Sequence, residues 1–406
     1  MDVREDTVSV IGMVSLAHFL SHVFLLAYPP LFPLLADEFG VSTTRLGLLV
    51  TAIYIPQLLL QLPLGEAVDR VGAKWVLVTG LALTSVSIGV SGFATSYSLL
   101  FACALLSGVG QSVFHPADYA LLESVTTPGI EGKAFSAHTF GGYAGFAAAP
   151  LVIGTIGIAI DWRIALLGVG AVGLLAAVGL ALSLGSVHAR HVRANAANAP
   201  DSAETDQGIV SEMVTFVRQV DLLLVFGFYL LSMMALVGLQ SFTTVLAVDG
   251  YGFGESTANT LLTVHLAATA VGVVAGGPLA DRGPFRWVLV SLLVFAAVGT
   301  WVLVLGAASG SALVALLLLA LVGLLFGLAL PSRDRFANSV VDPEAVGKSF
   351  GFFFTGLSLG AVVSPAVLGL IIDVWSSRVA FVVVGVFLVL STAIVVVALS
   401  TQSRTS

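Results

Sequence analysis

The sequence predicts an all-α polytopic membrane protein, with twelve transmembrane helices arranged as two pseudo-symmetric six-helix bundles. Three observations carry this expectation. Hydrophobic residues make up 58% of the 406-residue chain and charged residues only 10%, whereas soluble domains carry about 25% charged residues. Twelve apolar runs each reach the ~20 residues needed to cross hydrocarbon. Glycines, prolines and charges also recur in register between the two halves.

The first run covers residues 8–31. It follows the mixed-charge start MDVRED and is too long for the apolar stretch of a cleavable signal, so it is expected to stay as a span. Runs at 45–66, 75–95, 98–122, 133–158 and 162–184 complete a first set of six. Residues 186–220 then break the pattern with His188, Arg190, His191, Arg193, Asp201, Glu204 and Asp206. This stretch is expected to be a cytoplasmic linker between an N-terminal bundle, 1–185, and a C-terminal bundle, 221–406. The second set of runs is 221–247, 257–279, 286–307, 311–332, 346–371 and 377–399. Backbone polar groups cannot stay unpaired in lipid, so each run is read as a helix. None alternates polar and apolar residues as an outer-membrane strand would. Cys103 is the single cysteine, so no intramolecular disulfide can form.

Orientation follows from the basic residues. With the N-terminus inside, eleven of the sixteen Lys and Arg fall on the cytoplasmic side. Three, Arg45, Arg163 and Arg378, fall outside, while Arg333 and Arg335 lie near the inner end of the tenth span. Both termini are therefore expected in the cytoplasm, with the chain multi-pass in the cell membrane.

The halves superpose along long stretches of sequence. At an offset of 212, Asp37, Gly65, Asp69, Arg70 and Trp75 fall on Asp249, Gly277, Asp281, Arg282 and Trp287. At an offset of 215, Gly108, Pro116, Gly132, Lys133, Gly141, Gly145, Pro150, Gly154 and Arg163 fall on Gly323, Pro331, Gly347, Lys348, Gly356, Gly360, Pro365, Gly369 and Arg378. Apolar composition alone would match Leu to Val by chance, but not this many glycines, prolines and charges. Two six-helix repeats about an axis normal to the membrane are a transporter plan, with a small-molecule site near mid-membrane. No phosphate-binding loop G-x-x-x-x-G-K-[ST] is present, which argues against ATP-driven transport. No Cys, His or carboxylate cluster outside the spans has metal-ligand spacing, so no metal or other cofactor is expected. Nor is a nucleic-acid partner, and the chain is expected to be a monomer in the lipid bilayer.

The loop after the second span reads Gly65-Glu66-Ala67-Val68-Asp69-Arg70-Val71-Gly72-Ala73-Lys74. It resembles the G-x-x-x-D-R-x-G-[RK]-[RK] signature of the major facilitator superfamily, with a degraded copy at Gly277, Asp281 and Arg282. The resemblance implies a cytoplasmic latch at Gly65, Asp69, Arg70, Gly72, Lys74, Asp281 and Arg282, with Gly65 expected to let helices approach. Three strings, HFLSHVFLLAYPPLFPLLADEFGVS, GVGQSVFHPADYA and GGYAGFAAAPLVIG, are similar to the fosmidomycin-resistance branch of that family. That branch tends to carry Asp at the position of His22 and polar residues at those of Thr139 and Tyr143. Gly141, Gly145, Pro150 and Gly154 resemble the antiporter motif of drug exporters, departing from it at Ala149. The resemblance implies that spans one, four, seven and ten line the central cavity.

Polar residues concentrate on those spans. His18 and His22 are four apart and share a face of span one. His115 and Asp118 are three apart and share a face of span four. An Asp at a helix centre costs about 2.5–3.5 kcal/mol on insertion scales, so its presence asks for a reason. One reading is a proton path through His18, His22, His115, Asp118 and His138, with Asp118 facing a wet cavity and Pro116 marking a bend. The other is that each histidine, His138 and His265 included, satisfies a backbone carbonyl between helices. Asp118 falls on Arg333 in the repeat, which leaves two roles for that pair: an anion-binding arginine opposite a proton-carrying carboxylate, or a salt bridge at the inner gate. Gln240 on span seven, near Tyr229 and Met233, is a ligand contact on one reading and helix packing on the other. Proton-coupled export of a small organic solute leads, with proton-coupled uptake and a non-transporting sensor as alternatives.

Overall fold

The computed structural model describes residues 2–127, 129–183, 218–282, 284–307, 310–341 and 346–405. Most of the expected linker, 186–217, lies outside them. The described residues are helical with no strand among them, as the apolar runs require. The chain divides into two compact units, Met1–Pro200 and Asp201–Ser406.

In the first unit, α1 spans Asp2–Leu25 and gives way at the proline pair to a 3-10 turn, Pro29–Leu31, before α2, Phe32–Phe39. A proline has no N–H to continue the ladder, so Pro29 and Pro30 end α1 where Pro33 starts α2. α3 (Thr43–Val71), α4 (Ala73–Ser91), α5 (Tyr97–Gln111), α6 (Phe114–Val125), α7 (Glu131–Ala149) and α8 (Trp162–Ser183) follow. Span four is thus two helices. Pro116 would set its ring against the carbonyl four residues earlier in a continuous helix, and the chain breaks at Ser112–Val113 instead. The helix is interrupted at the place of the expected bend, with Ser112 and Val113 keeping right-handed helical dihedrals. The interruption is absent in the second unit, where Pro331 lies inside an unbroken helix.

That unit holds α9 (Val220–Val245), α10 (Glu255–Arg282), α11 (Phe285–Val302), α12 (Ala312–Asn338), α13 (Val346–Val374) and α14 (Ser377–Thr405). Eleven helical segments among the described residues are long and apolar enough to cross a membrane, one fewer than the sequence expectation. The difference lies at 131–183, where π-helical turns at Pro150–Gly154 and Gly157–Asp161 join spans five and six into one 53-residue segment. At ~1.5 Å per residue that length is enough for two crossings. Its two parts pack on different neighbours, α7 on α1 and α8 on α4.

The packing repeats as the sequence does. α1 on α7, α3 on α5 and α4 on α8 have their counterparts in α9 on α13, α10 on α12 and α11 on α14. The repeat reaches individual glycines. Gly108 lies against the Ile53 carbonyl and its counterpart Gly323 against the His265 carbonyl. A Cβ at Gly141 would stand 2.8 Å from the Ser15 carbonyl oxygen, and one at Gly356 2.7 Å from that of Phe226. Small residues let helix backbones approach where no hydrophobic effect drives them together. Facing outward, Val172, Leu175, Val178 and Leu182 on α8 are all exposed, as side chains that meet lipid must be.

Candidate functional site

The site is built where α7 comes down on α1. Gly141, Gly142 and Gly145 present no side chain to α1, and each meets it closely. Gly145 faces the Phe19 carbonyl, and a Cβ on Gly142 would stand 2.6 Å from His22 Nδ1. The glycine pattern that resembles the antiporter motif therefore has a local job: it makes room for imidazole rings between two helices. Pro150 ends α7 and opens the π-helical turn that contains Gly154.

Into this seam project His18 and His22 from α1 and His138 from α7. The rings of His18 and His138 stack with centroids 3.8 Å apart and planes at 28°. His22 lies 4.4 Å from His18 on one side and stacks on Phe146 at 4.2 Å on the other. From α6, Asp118 closes the group. Its Oδ2 lies 3.1 Å from His18 Nδ1 and 3.8 Å from His138 Nε2. His115, one turn earlier on α6, has its ring 5.5 Å from that of His18. Tyr119 bridges His115 and His138, with ring centroids 5.8 Å from each.

Span four is tied to span one just beside this group. Ser21 Oγ donates to Gln111 Oε1 at 2.8 Å, and Gln111 Nε2 donates back to the Ser21 carbonyl at 2.8 Å. After the break at Ser112–Val113, whose residues keep right-handed helical dihedrals, α6 carries Asp118 on its buried side. Asp118 is 0% exposed and His18 4%, while His115 is exposed. This corrects the expectation of a wet face for Asp118. His18 and His138 cover it, and His115 alone of the α6 pair reaches the unit's surface.

The enclosed group is under-satisfied. Asp118 Oδ1, both ring nitrogens of His138 and His22 Nδ1 have no hydrogen-bond partner among the described residues. Each such atom costs about 1–3 kcal/mol, an expense typical of sites that hold a proton, an ion or a ligand. His265 differs from His138 in having one ring nitrogen engaged, while its Nε2 has no hydrogen-bond partner among the described residues. It is buried between α10 and α12, with Nδ1 3.1 Å from the Leu319 carbonyl oxygen, which is the carbonyl-satisfying role rather than the proton-path one.

In the second unit, Arg333 is held by its neighbours. Its Nε donates to Asp334 Oδ1 at 2.9 Å and its guanidinium lies 4.9 Å from the Tyr229 ring centre. Tyr229 donates its hydroxyl to the same carboxylate oxygen at 3.0 Å. Gln240 is buried, and neither of its amide atoms has a partner among the described residues. Asp118 and Arg333 are each paired inside their own unit.

The latch residues divide. Gly72 ends α3 at φ +96°, a left-handed conformation that glycine adopts without a Cβ penalty, and its N–H reaches the Val68 carbonyl at 2.9 Å. Lys74 is buried and donates to the Ala181 carbonyl at 2.6 Å, at the C-terminal end of α8. Arg70 pairs with Glu66 and Asp69 is exposed. Gly65 has open space where a Cβ would go, so it does not mediate helix approach here. In the second copy Asp281 lies 3.9 Å from Arg335, which also donates to the Ala280 carbonyl. The Arg282 side chain lies outside the described residues.

Sequence reasoning missed Phe146 as the wall behind His22, Ser21 and Gln111 as the tie, and Tyr119 as the bridge. Each lies within four residues of a residue already singled out, so helical spacing was the available signal.

A family model described as Major Facilitator Superfamily matches residues 14–258 and 226–406. The fosmidomycin resistance protein of Escherichia coli (strain K12) is 26% identical over 371 residues, covering 90% of this chain and 86% of that one. Multidrug resistance protein 1 of Bacillus subtilis (strain 168) is 24% identical over 349 residues, covering 85% of each chain. The hexuronate transporter of the same organism is 24% identical over 385 residues, covering 91% of this chain and 89% of its own. A crystal structure of a bacterial homolog to the human lysosomal transporter Spinster, in an inward-facing and occupied conformation, superposes with a TM-score of 0.80 at 16% identity over 97% of each chain. With its repeated six-helix packing and a model match across both halves, the chain belongs to the major facilitator superfamily and is a multi-pass membrane transporter of a small molecule.

Proposed function

We propose that this transporter is a proton-coupled exporter of a small organic solute, drug-like or anionic, working by alternating access with both termini in the cytoplasm. The energy source is the proton gradient, with no cofactor, and the working unit is the monomer. The observation that carries the proposal is the buried Asp118 carboxylate, caged by His18 and His138 and flanked by His22 and His115. A carboxylate there binds one proton and releases it, and each change alters its hold on His18. That hold links α6 to α1, so protonation is coupled to how two helices of the cavity wall meet. Arg333, steadied by Tyr229 and Asp334, supplies the positive charge for an anionic solute, and Gln240 supplies amide donors and acceptors.

Uptake by proton symport is the second reading. It is favoured by the match to a protein named for hexuronate, an organic anion, together with Arg333. A growth-inhibition panel in an efflux-deficient host separates the two. It compares wild type with Asp118→Asn at matched expression, against fosmidomycin, other small anions and amphipathic cations. Resistance that the variant loses supports coupled export through Asp118. Resistance that survives in the variant removes Asp118 from coupling. Increased sensitivity moves the assignment to uptake.

A further inference from the structure

We infer that His18, Asp118 and His138 form a binding site for a divalent first-row transition ion of the imidazole-preferring kind, such as Zn²⁺ or Co²⁺. One ligand atom from each residue, a ring nitrogen of His18, a carboxylate oxygen of Asp118 and a ring nitrogen of His138, lies within 4.8 Å of the others. Bonds of about 2.0–2.2 Å place tetrahedral ligands about 3.4 Å apart. The 3.1 Å between His18 Nδ1 and Asp118 Oδ2 and the 3.8 Å between His138 Nε2 and Asp118 Oδ2 bracket that edge. The third edge, between ring nitrogens of His18 and His138, lies within 4.8 Å, and an ion there requires the two stacked rings, whose planes now stand at 28°, to turn so that their in-plane lone pairs converge.

The donor set suits such an ion. Two imidazoles and one carboxylate select Zn²⁺, Co²⁺ or Ni²⁺ over Mg²⁺ and Ca²⁺, which take oxygen. Two of these three residues also keep polar atoms that nothing else uses. Both His138 ring nitrogens and Asp118 Oδ1 are buried and without a hydrogen-bond partner among the described residues. A proton on Asp118 would serve one of these needs, whereas an ion engages lone pairs of all three residues at once. No Lys or Arg stands among the ion-pair partners of Asp118 within the described residues, so no resident cation occupies that role. Three protein ligands leave a fourth position for water, or for His22 or His115, whose rings lie 4.4 and 5.5 Å from that of His18. The site departs from the sequence expectation of no metal, because its ligands come from three helices that sequence spacing does not bring together. It stands independently of transport direction and substrate, and the ion competes with the proton proposed for Asp118, because a carboxylate that ligates a metal is ionised.

The test is metal binding by the detergent-purified full chain, carrying an affinity tag without histidine. Co²⁺ is expected to bind one ion per chain, to give visible ligand-field bands of a low-coordinate site, and to be displaced by Zn²⁺. His138→Gln and Asp118→Asn are each expected to weaken binding about tenfold or more, while His265→Gln leaves it unchanged. Zinc-edge X-ray absorption on wild type gives an answer that does not depend on how the variants fold, with a nitrogen and oxygen shell showing imidazole scattering. Absence of binding, a shell of oxygen or sulfur alone, or affinity unchanged in well-folded His138→Gln and Asp118→Asn would overturn the assignment.

Discussion

Asp118 Oδ2 meets His18 Nδ1 at 3.1 Å across 100 residues of chain, and this contact joins the half-helix α6 to α1. Everything nearby serves to make it possible. The Ser21–Gln111 pair ties span four to α1, and the glycines of α7 leave room for the rings.

If the α7 glycines exist for close approach, filling one is costly. Gly145→Val places a side chain against the Phe19 carbonyl and His22 Cβ. It is expected to lower stability by about 1–3 kcal/mol, as overpacking does, read as a fall in thermal midpoint in detergent. Gly65→Ala, which meets nothing within 4 Å, is the control and leaves the midpoint unchanged.

Accessibility separates the two α6 residues. In a Cys103→Ser background, His115→Cys is expected to react readily with a small aqueous thiol reagent and Asp118→Cys slowly, because the first is exposed and the second buried. Equal rates would contradict the covering of Asp118 by His18 and His138.

Lys74 and Arg70 are both basic residues of the same loop, with opposite expectations. Lys74 is buried against the Ala181 carbonyl, so Lys74→Met is expected to cost about 1.5–3 kcal/mol, the range for a charge-assisted hydrogen bond. The Arg70–Glu66 pair is largely exposed, so Arg70→Ala is expected to change stability by less than about 1 kcal/mol. Thermal unfolding of the two variants side by side reads the difference.

Arg333 tests solute charge. Loss of one charge-assisted contact corresponds to about 10–100-fold in affinity. Arg333→Ala is expected to raise the KM for an anionic solute by that order and to leave a cationic one unaffected. An unchanged KM for the anion would remove Arg333 from binding.

Much of the fold was legible because the membrane constrains it so strongly. A run of ~20 apolar residues has few alternatives to a helix, and the register of Gly108 with Gly323 and Gly141 with Gly356 carried over into matching contacts. The face that His18 shares with His22 was legible from helical period, whereas His115 and Asp118, three residues apart, differ in burial. What sequence could not supply was which helix faces which. His138 and His265 look alike in sequence, but one joins the cluster and the other bonds the Leu319 carbonyl. The wet environment expected for Asp118 failed for the same reason, since the rings that cover it come from α1 and α7. Gly65 fits its motif and yet touches nothing. The equivalence of Pro116 and Pro331 hid a difference, because only the first breaks its helix.

The central claim is that Asp118 carries the coupled proton, and solute flux in proteoliposomes tests it most directly. A solute identified by the resistance panel is followed in two modes, transport driven by an imposed pH gradient and exchange at equal pH. Asp118→Asn is predicted to lose gradient-driven transport while keeping exchange, because the solute path stays intact and only the proton step is gone. Gradient-driven transport by Asp118→Asn at the wild-type level would contradict the claim.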